Sequence, residues 1–170
     1  MREITQKIYN FSELDKNIQE KLIEKEIEIQ KDFYCENFLY DDIKEKAKEL
    51  LQKYFKGKAV FKNVYYSLNY CQGDGSMIEF ELIYYNKLIF INHNNGHYYH
   101  ENSYCIEYLD CDFLTDNQEK QLKEKIYKMN RELTKYSYQL IEFECERKEI
   151  EEILSENEYF KNGEIYKGVI

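Results

Sequence analysis

The chain has 170 residues, and its 24 Lys and Arg against 33 Asp and Glu give a formal net charge of −9 with a pI near 5.0. This length suits a single domain over residues 1–170, and a hydrophobic fraction of 43% excludes a disordered chain. Phosphate affinity comes chiefly from Lys and Arg, so the acidic balance argues against nucleic-acid binding through a general basic face. It favours a basic protein partner, or no electrostatic partner at all.

The remaining composition points to a cytoplasmic protein. No segment approaches about 18 consecutive apolar residues, and the first residues lack the apolar run of a signal peptide. The five cysteines are odd in number and form no C-x-x-C pair, which gives no support to a disulfide framework or a zinc ribbon. We therefore expect no membrane segment and a reducing compartment.

The first third of the chain has mainly helical periodicity. A short strand is predicted over residues 3–9, and an amphipathic helix of about five turns is predicted from Ser12, a typical N-cap residue, through Ile27. A second amphipathic helix is predicted from Asp41 to Phe55, with Gly57 as its stop.

From Ala59 to Asp110 the hydrophobic period changes to two, and tyrosines and β-branched residues become frequent. Four strands are predicted, at Val60 to Cys71, Ser76 to Tyr85, Leu88 to His93 and Tyr98 to Leu109. The second strand alternates apolar and acidic residues, which predicts one buried face and one solvated face. Short turns between the strands indicate an antiparallel meander.

The last third returns to helical spacing. Thr115 to Gln118 is typical of a helix cap and precedes a long third helix, and a shorter acidic helix is predicted from about Arg147 to Leu154. Asn162-Gly163 then predicts a small hairpin. The order of elements predicts an α+β fold: a four-stranded antiparallel β-meander with helices packed on one face and a small C-terminal β-hairpin.

Gly73, Asp74 and Gly75 follow Gln72 at a predicted hairpin tip. Two glycines around an acid permit positive φ angles and outward backbone N–H groups, which suits a small ligand. An ordinary tight turn whose Asp bonds within its own hairpin is the other interpretation. A Walker loop is excluded, because no Gly-Lys-Ser/Thr follows.

All three histidines, His93, His97 and His100, lie within eight positions of one another. A tight turn at Asn95-Gly96 would pair His93 with Tyr98 and place His93 and His100 on one face, with His97 on the other. That geometry argues against a three-histidine metal site, and no cofactor is expected. A polar-ligand or partner surface and a solvated hairpin tip both stay open.

Catalytic patterns are weak in this sequence. No GxSxG, SxxK or HExxH motif occurs, and the paired carboxylates Glu79 and Glu81 suit a solvated strand face. We therefore expect no catalytic residue.

Eight glutamates lie between Glu142 and Glu158, among them Glu149 and Glu152 on the predicted acidic helix. One interpretation is a solvated helix face. The other is a surface that imitates a phosphate backbone and docks on an Arg- and Lys-lined groove of a nucleic-acid enzyme.

Four stretches, at Ile8–Leu14, Tyr70–Gly75, Gly96–Glu101 and Asn157–Tyr166, follow one another along nearly the whole chain. In this order they resemble a widespread family of small bacteriophage and prophage proteins, some of which are labelled antitoxins. The resemblance implies a phage gene expressed inside the host, and such genes often counter host defence. Carried over by motif, it implies binding roles at two hairpin tips that lie together, for Gln72, Gly73, Asp74, Gly75, Tyr98 and His100.

These observations predict a phage-encoded anti-defence protein without catalysis, of the anti-CRISPR type. It would bind and inhibit a host immune effector nuclease through an acidic, tyrosine-rich surface. The expected partner-binding residues are Glu149 and Glu152, together with His93 and the two hairpin tips. Direct nucleic-acid binding is not expected. The alternatives are a binder or hydrolase of a nucleotide immune signal, and an antitoxin-like partner of a basic toxin.

Overall fold

The computed structural model describes residues 7–69, 73–94, 96, 99–109 and 114–167. The chain forms two compact units, a terminal unit of Met1–Asn37 with Ile141–Ile170 and a central unit of Phe38–Leu140. Each unit is described by itself. Within the described ranges, no helix is both long enough and apolar enough to span a membrane.

The structure contains four α-helices and six strands in its described part. In chain order these are β1 (Tyr9–Asn10), a 3-10 turn (Phe11–Glu13), α1 (Lys16–Asn37), α2 (Leu39–Phe55), β2 (Ala59–Ser67), β3 (Gly75–Tyr84), β4 (Lys87–His93), β5 (Tyr104–Tyr108), α3 (Asp116–Glu144), α4 (Arg147–Ser155) and β6 (Glu158–Tyr159). The predicted α+β class is confirmed.

The central unit contains the predicted four-stranded antiparallel sheet, in the order β2-β3-β4-β5. Each strand therefore pairs with its neighbour in the sequence. Tyr84 pairs with Lys87, so β3 and β4 are joined by the two residues Tyr85 and Asn86, whose φ angles are +49° and +61°. Two positive φ angles in a two-residue connection are typical of a type I′ turn.

Period-two alternation on β3 decides which face of the sheet is buried. Phe80 and Leu82 are each 1% exposed, whereas Glu79 and Glu81 between them are only partly buried. The ring of Phe55 on α2 lies 5.2 Å from that of Phe80, so α2 packs on the apolar face. α3 contributes a fully buried stripe at helical spacing: Leu122, Ile126, Met129 and Leu133.

The start of α3 confirms the predicted cap. The Thr115 backbone N–H donates to Gln118 Oε1 at 3.0 Å, and the Gln118 N–H donates to Thr115 Oγ1 at 3.4 Å. This reciprocal pair satisfies two donors that the first helical turn otherwise leaves unpaired.

The terminal unit has its own small core of Phe11, Leu14, Ile23, Ile150, Leu154 and Tyr159. β6 pairs antiparallel with β1, with Tyr9 opposite Tyr159. The turn of the predicted C-terminal hairpin is present, because the Phe160 N–H donates to the Glu164 carbonyl at 2.8 Å and Tyr159 bridges to Ile165. The N-terminal strand partner of β6 was not indicated by the sequence.

α1 differs from the prediction at both ends, and α2 begins at Leu39 rather than Asp41. α1 begins at Lys16 rather than Ser12, because residues 11–13 form a 3-10 turn; the Gln19 side chain donates to the carbonyls of Phe11 and Leu14 at 3.1 and 2.9 Å. α1 also continues to Asn37, well beyond the predicted end. Most of the strand predicted over residues 3–9 lies outside the described ranges.

Candidate functional site

The predicted ligand residues lie at one end of the central sheet. In a meander the β2–β3 and β4–β5 connections lie at the same end, and here they touch: a Cβ built on Gly75 would lie 2.9 Å from the His100 Cα. The structure therefore brings Gly75 and His100 together. Gln72 and Tyr98, with His97, lie outside the described residues.

The predicted tight turn at Asn95-Gly96 is wrong. β5 begins at Tyr104, which pairs with His93, so the connection runs over residues 94–103. His100 and Ser103 close a turn of their own inside this connection: the His100 N–H donates to Ser103 Oγ at 3.1 Å, and the Ser103 N–H donates to the His100 carbonyl at 2.9 Å. The predicted pairing of His93 with Tyr98, and the shared strand face of His93 and His100, are wrong as well.

Asp74 and His100 both stabilise their own connections. The Ser67 hydroxyl donates to Asp74 Oδ1 at 2.7 Å, across the base of the β2–β3 connection. His100 Nδ1 accepts the Asn102 backbone N–H at 3.1 Å. These bonds match the interpretation of Asp74 as an ordinary turn residue, and they give His100 a role in shaping its loop.

A cluster of three rings lies near these tips. The ring centroid of Tyr65 is 4.7 Å from that of His93 and 5.9 Å from that of Tyr99, and His93 and Tyr99 are 5.0 Å apart. The pKa of Tyr65 is raised: a hydrogen bond with Asn63 lowers it, but a hydrogen bond with Glu79, burial and the Glu79 charge together outweigh that effect. We call Tyr65, His93 and Tyr99 the ring cluster.

The sequence did not single out Tyr65 or Tyr99, because their association depends on strand register and on the path of the 94–103 connection.

Beside β4, Cys105 Sγ lies 3.7 Å from the Asn92 carbonyl and from Glu107 Oε1. Burial and the Glu107 carboxylate raise the pKa of this thiol, which disfavours the reactive thiolate. Among the residues that the structure describes, no group of three or more His, Cys, Asp or Glu could hold a metal ion.

The acidic residues of the terminal unit form a second candidate site. Glu149 and Glu152 are exposed on α4, while Ile150 and Leu154 of the same helix are 1% and 4% exposed in the core. The exposed residues Glu142, Phe143, Glu146, Glu149, Glu152, Ile153 and Glu156 are here named the acidic surface.

Arg147 fixes α4 to α1 beside the acidic surface. Its guanidinium donates to both carboxylate oxygens of Glu20, at 3.0 and 2.7 Å, and to Glu151 at 2.7 Å. The hydrogen bond from Arg147 holds the pKa of Glu20 below its ordinary value. Arg147 thus pairs with Glu20 and Glu151, whereas Glu152 forms a loose ion pair with Lys148, whose Nζ lies 3.8 Å from Glu152 Oε1.

The chain matches no protein-family model, no curated protein and no solved structure. Its own geometry defines an α+β protein with two sites of interest: the ring cluster beside the touching tips of the central unit, and the acidic surface of the terminal unit.

Gly75→Ala is expected to destabilise the protein by about 2 kcal/mol, because the new Cβ meets the His100 backbone and the φ of +155° strains an L side chain. Gly57→Ala is the matched control, since φ is +78° there but the nearest atom is Gln52 Oε1 at 3.8 Å. It should cost about 1 kcal/mol. Urea unfolding checks both values, and equal losses would contradict the close contact of the tips.

Tyr104 is expected to make the stability fall at alkaline pH. Its hydroxyl donates to the Lys123 carbonyl at 3.3 Å, and burial, followed by the Glu119 charge, raises the pKa of Tyr104 to about 12. The unfolded chain loses this proton at about pH 10, so between about pH 10 and 12 the folded chain binds more protons and its stability falls as pH rises. Tyr104→Phe should flatten this decline in urea unfolding across that range. An unchanged slope would contradict the assignment.

Proposed function

We propose that the protein is a phage-encoded anti-defence protein that binds and inhibits a host immune effector nuclease of the CRISPR type. The observation that carries the proposal is the acidic surface. Two of its glutamates, Glu149 and Glu152, are presented to solvent by α4, whose opposite side packs into the core of the terminal unit.

The geometry of α4 suits recognition of a basic groove. Glu149 and Glu152 are three residues apart and therefore lie on one side of the helix. Lys148 neutralises Glu152 only weakly, because both side chains are strongly exposed and their charged atoms are 3.8 Å apart. Closely spaced carboxylates resemble successive phosphates in charge, and a groove lined with Arg and Lys attracts both.

The acidic surface also offers apolar contact area. Phe143 is 58% exposed and Ile153 is 38% exposed among its glutamates. Interfaces gain most of their affinity from a few such apolar or aromatic anchors, while the charges supply orientation and fast association. In the central unit the ring cluster offers tyrosine contact area at low entropic cost.

Binding without catalysis is supported by the state of the two tips. Asp74 and His100, the residues that a nucleotide hydrolase would use here, hydrogen-bond within their own connections. Their primary role is then to shape the loops, and the proposed function does not depend on them.

The proposal is tested by affinity capture of the tagged protein from host cells during phage infection, with mass spectrometry of bound proteins and nucleotides. A defence nuclease in stoichiometric amount, inhibited by the purified protein, is expected. A bound nucleotide without any protein would overturn the proposal in favour of a nucleotide-signal binder. A small basic toxin would overturn it in favour of an antitoxin.

A further inference from the structure

Three lysines gather at the opposite end of the central sheet from the two touching tips. Lys56 follows the last residue of α2, and the Lys58 carbonyl accepts the Ile83 N–H at 2.8 Å beside the end of β3. Lys125 comes from α3, and its Nζ lies 4.7 Å from the ring centre of Phe55, the residue before Lys56. The end of α2, the residues after it and α3 thus place the three lysines at one end of the central sheet.

The charges of Lys56 and Lys58 act against that of Lys125. After burial, the positive charges of Lys56 and Lys58 are what lower the pKa of Lys125. Within the described part of the chain none of the three forms an ion pair, although the protein has 33 acidic residues. The C-terminal end of α2 explains a lysine at position 56 but not one on α3. A bound anion would relieve the repulsion.

An exposed aromatic ring lies at the same end of the sheet. Ile83, which bonds to Lys58, is followed by Tyr84 and then by Tyr85, which is 57% exposed in the type I′ turn. Tyr84 contacts the Tyr85 ring edge-on, with centroids 4.7 Å apart. Tyrosine at a φ of +49° is a strained choice at a position where Asn or Gly is usual. Strain of this kind is often associated with a binding role.

We propose that Lys56, Lys58, Lys125 and Tyr85, here named the basic corner, bind a nucleotide or a single strand of nucleic acid. The ammonium groups hold phosphate, and the Tyr85 ring stacks on a base. Aromatic stacking beside lysine-bound phosphates is the usual means by which proteins hold single strands without reading their sequence. The proposal does not rest on the proposed function, because the acidic surface belongs to the other unit.

Fluorescence anisotropy with a labelled thymidine strand of about ten nucleotides tests the proposal, with ATP and inorganic phosphate as competitors. Lys56→Ala, Lys58→Ala and Lys125→Ala combined should weaken strand binding at least about tenfold and reduce its salt dependence. The matched control replaces the exposed Lys16, Lys21 and Lys161 with Ala and changes the net charge equally. Affinity within about twofold of wild type is expected for it.

Tyr85→Gly distinguishes an effect of the Tyr85 ring on binding from an effect on stability. It removes the stacking surface and relieves the positive φ, so strand binding should weaken about tenfold while the thermal midpoint rises. The proposal would be overturned if the wild-type protein bound neither the strand nor ATP. Equal losses in the two lysine variants would also overturn it, because they would indicate general charge attraction. Competition by inorganic phosphate as strong as that by ATP would overturn the role of the base.

Discussion

Asn130→Leu is expected to lower the free energy of unfolding by about 3 kcal/mol, because it leaves a buried backbone N–H and a partly buried carbonyl without their partner. Asn130 is fully buried on α3. Its Oδ1 accepts the Ile78 N–H at 3.2 Å, and its Nδ2 donates to the Glu101 carbonyl at 3.0 Å. One side chain thereby joins a helix, a strand and the 94–103 connection.

The Ile78 N–H bonds to Asn130 because no neighbouring strand in the described part of the chain supplies an acceptor there. β4 pairs with β3 only from Phe80 onward, so the N–H groups of Ser76 and Ile78 are satisfied from α3 instead. Thr134 supplies the second acceptor, at 2.9 Å from the Ser76 nitrogen. Leu shares the branching of Asn at Cγ but is larger, so overpacking of the buried site adds to the loss of the two hydrogen bonds in the Asn130→Leu variant.

Ser137→Ala is the matched control. Ser137 is as buried as Asn130 and lies on the same helix, but its hydroxyl donates only to the Leu133 carbonyl, one turn back, at 2.9 Å. Its removal should cost less than about 1 kcal/mol. Chemical unfolding of both variants gives the comparison, and a loss in Asn130→Leu no larger than that in Ser137→Ala would contradict the role of Asn130.

Glu149→Lys with Glu152→Lys is expected to weaken inhibition of the target nuclease at least about a hundredfold, chiefly by slowing association. The change converts two exposed carboxylates on one side of α4 into cations that a basic groove repels. Stability should stay within about 0.5 kcal/mol of wild type, since neither side chain is buried. Inhibition titrations at two salt concentrations measure the effect.

Glu24→Lys with Glu28→Lys is the control for net charge. Both side chains are exposed on α1, and the change in total charge is identical. Inhibition by this control should stay close to wild type, as should inhibition by Asp74→Ala and His100→Ala. A similar loss in both double variants would mean that overall charge, and not the acidic surface, determines binding.

Much of the fold follows from the periodicity of the sequence. The alternation from Ile78 to Leu82 places the apolar face of β3 correctly, and the Thr115–Gln118 cap begins α3 where expected. The β4–β5 connection was mispredicted because Asn95-Gly96 is a strong local turn signal. The structure has a longer loop there, and two contacts between residues distant in sequence hold it. Gly75 lies against His100, and Asn130 bonds to Glu101.

One candidate site could be predicted from local sequence, and two could not. The exposure of Glu149 and Glu152 follows from helical spacing, since Ile150 and Leu154 occupy the buried side. The ring cluster and the basic corner depend on strand register and on the packing of α3 near the end of α2. The residues of each site are distant from one another in the sequence. The net charge of −9 gave no indication that three lysines would lie near one another.

We propose that the acidic surface occupies the nucleic-acid groove of a defence nuclease. The most direct measurement is competition on the captured nuclease: binding of labelled nucleic acid is followed as wild-type protein or the Glu149→Lys, Glu152→Lys variant is added. We expect wild-type protein to displace the nucleic acid competitively and the variant to leave it bound. Full displacement by the variant, or inhibition with the nucleic acid still bound, would contradict it.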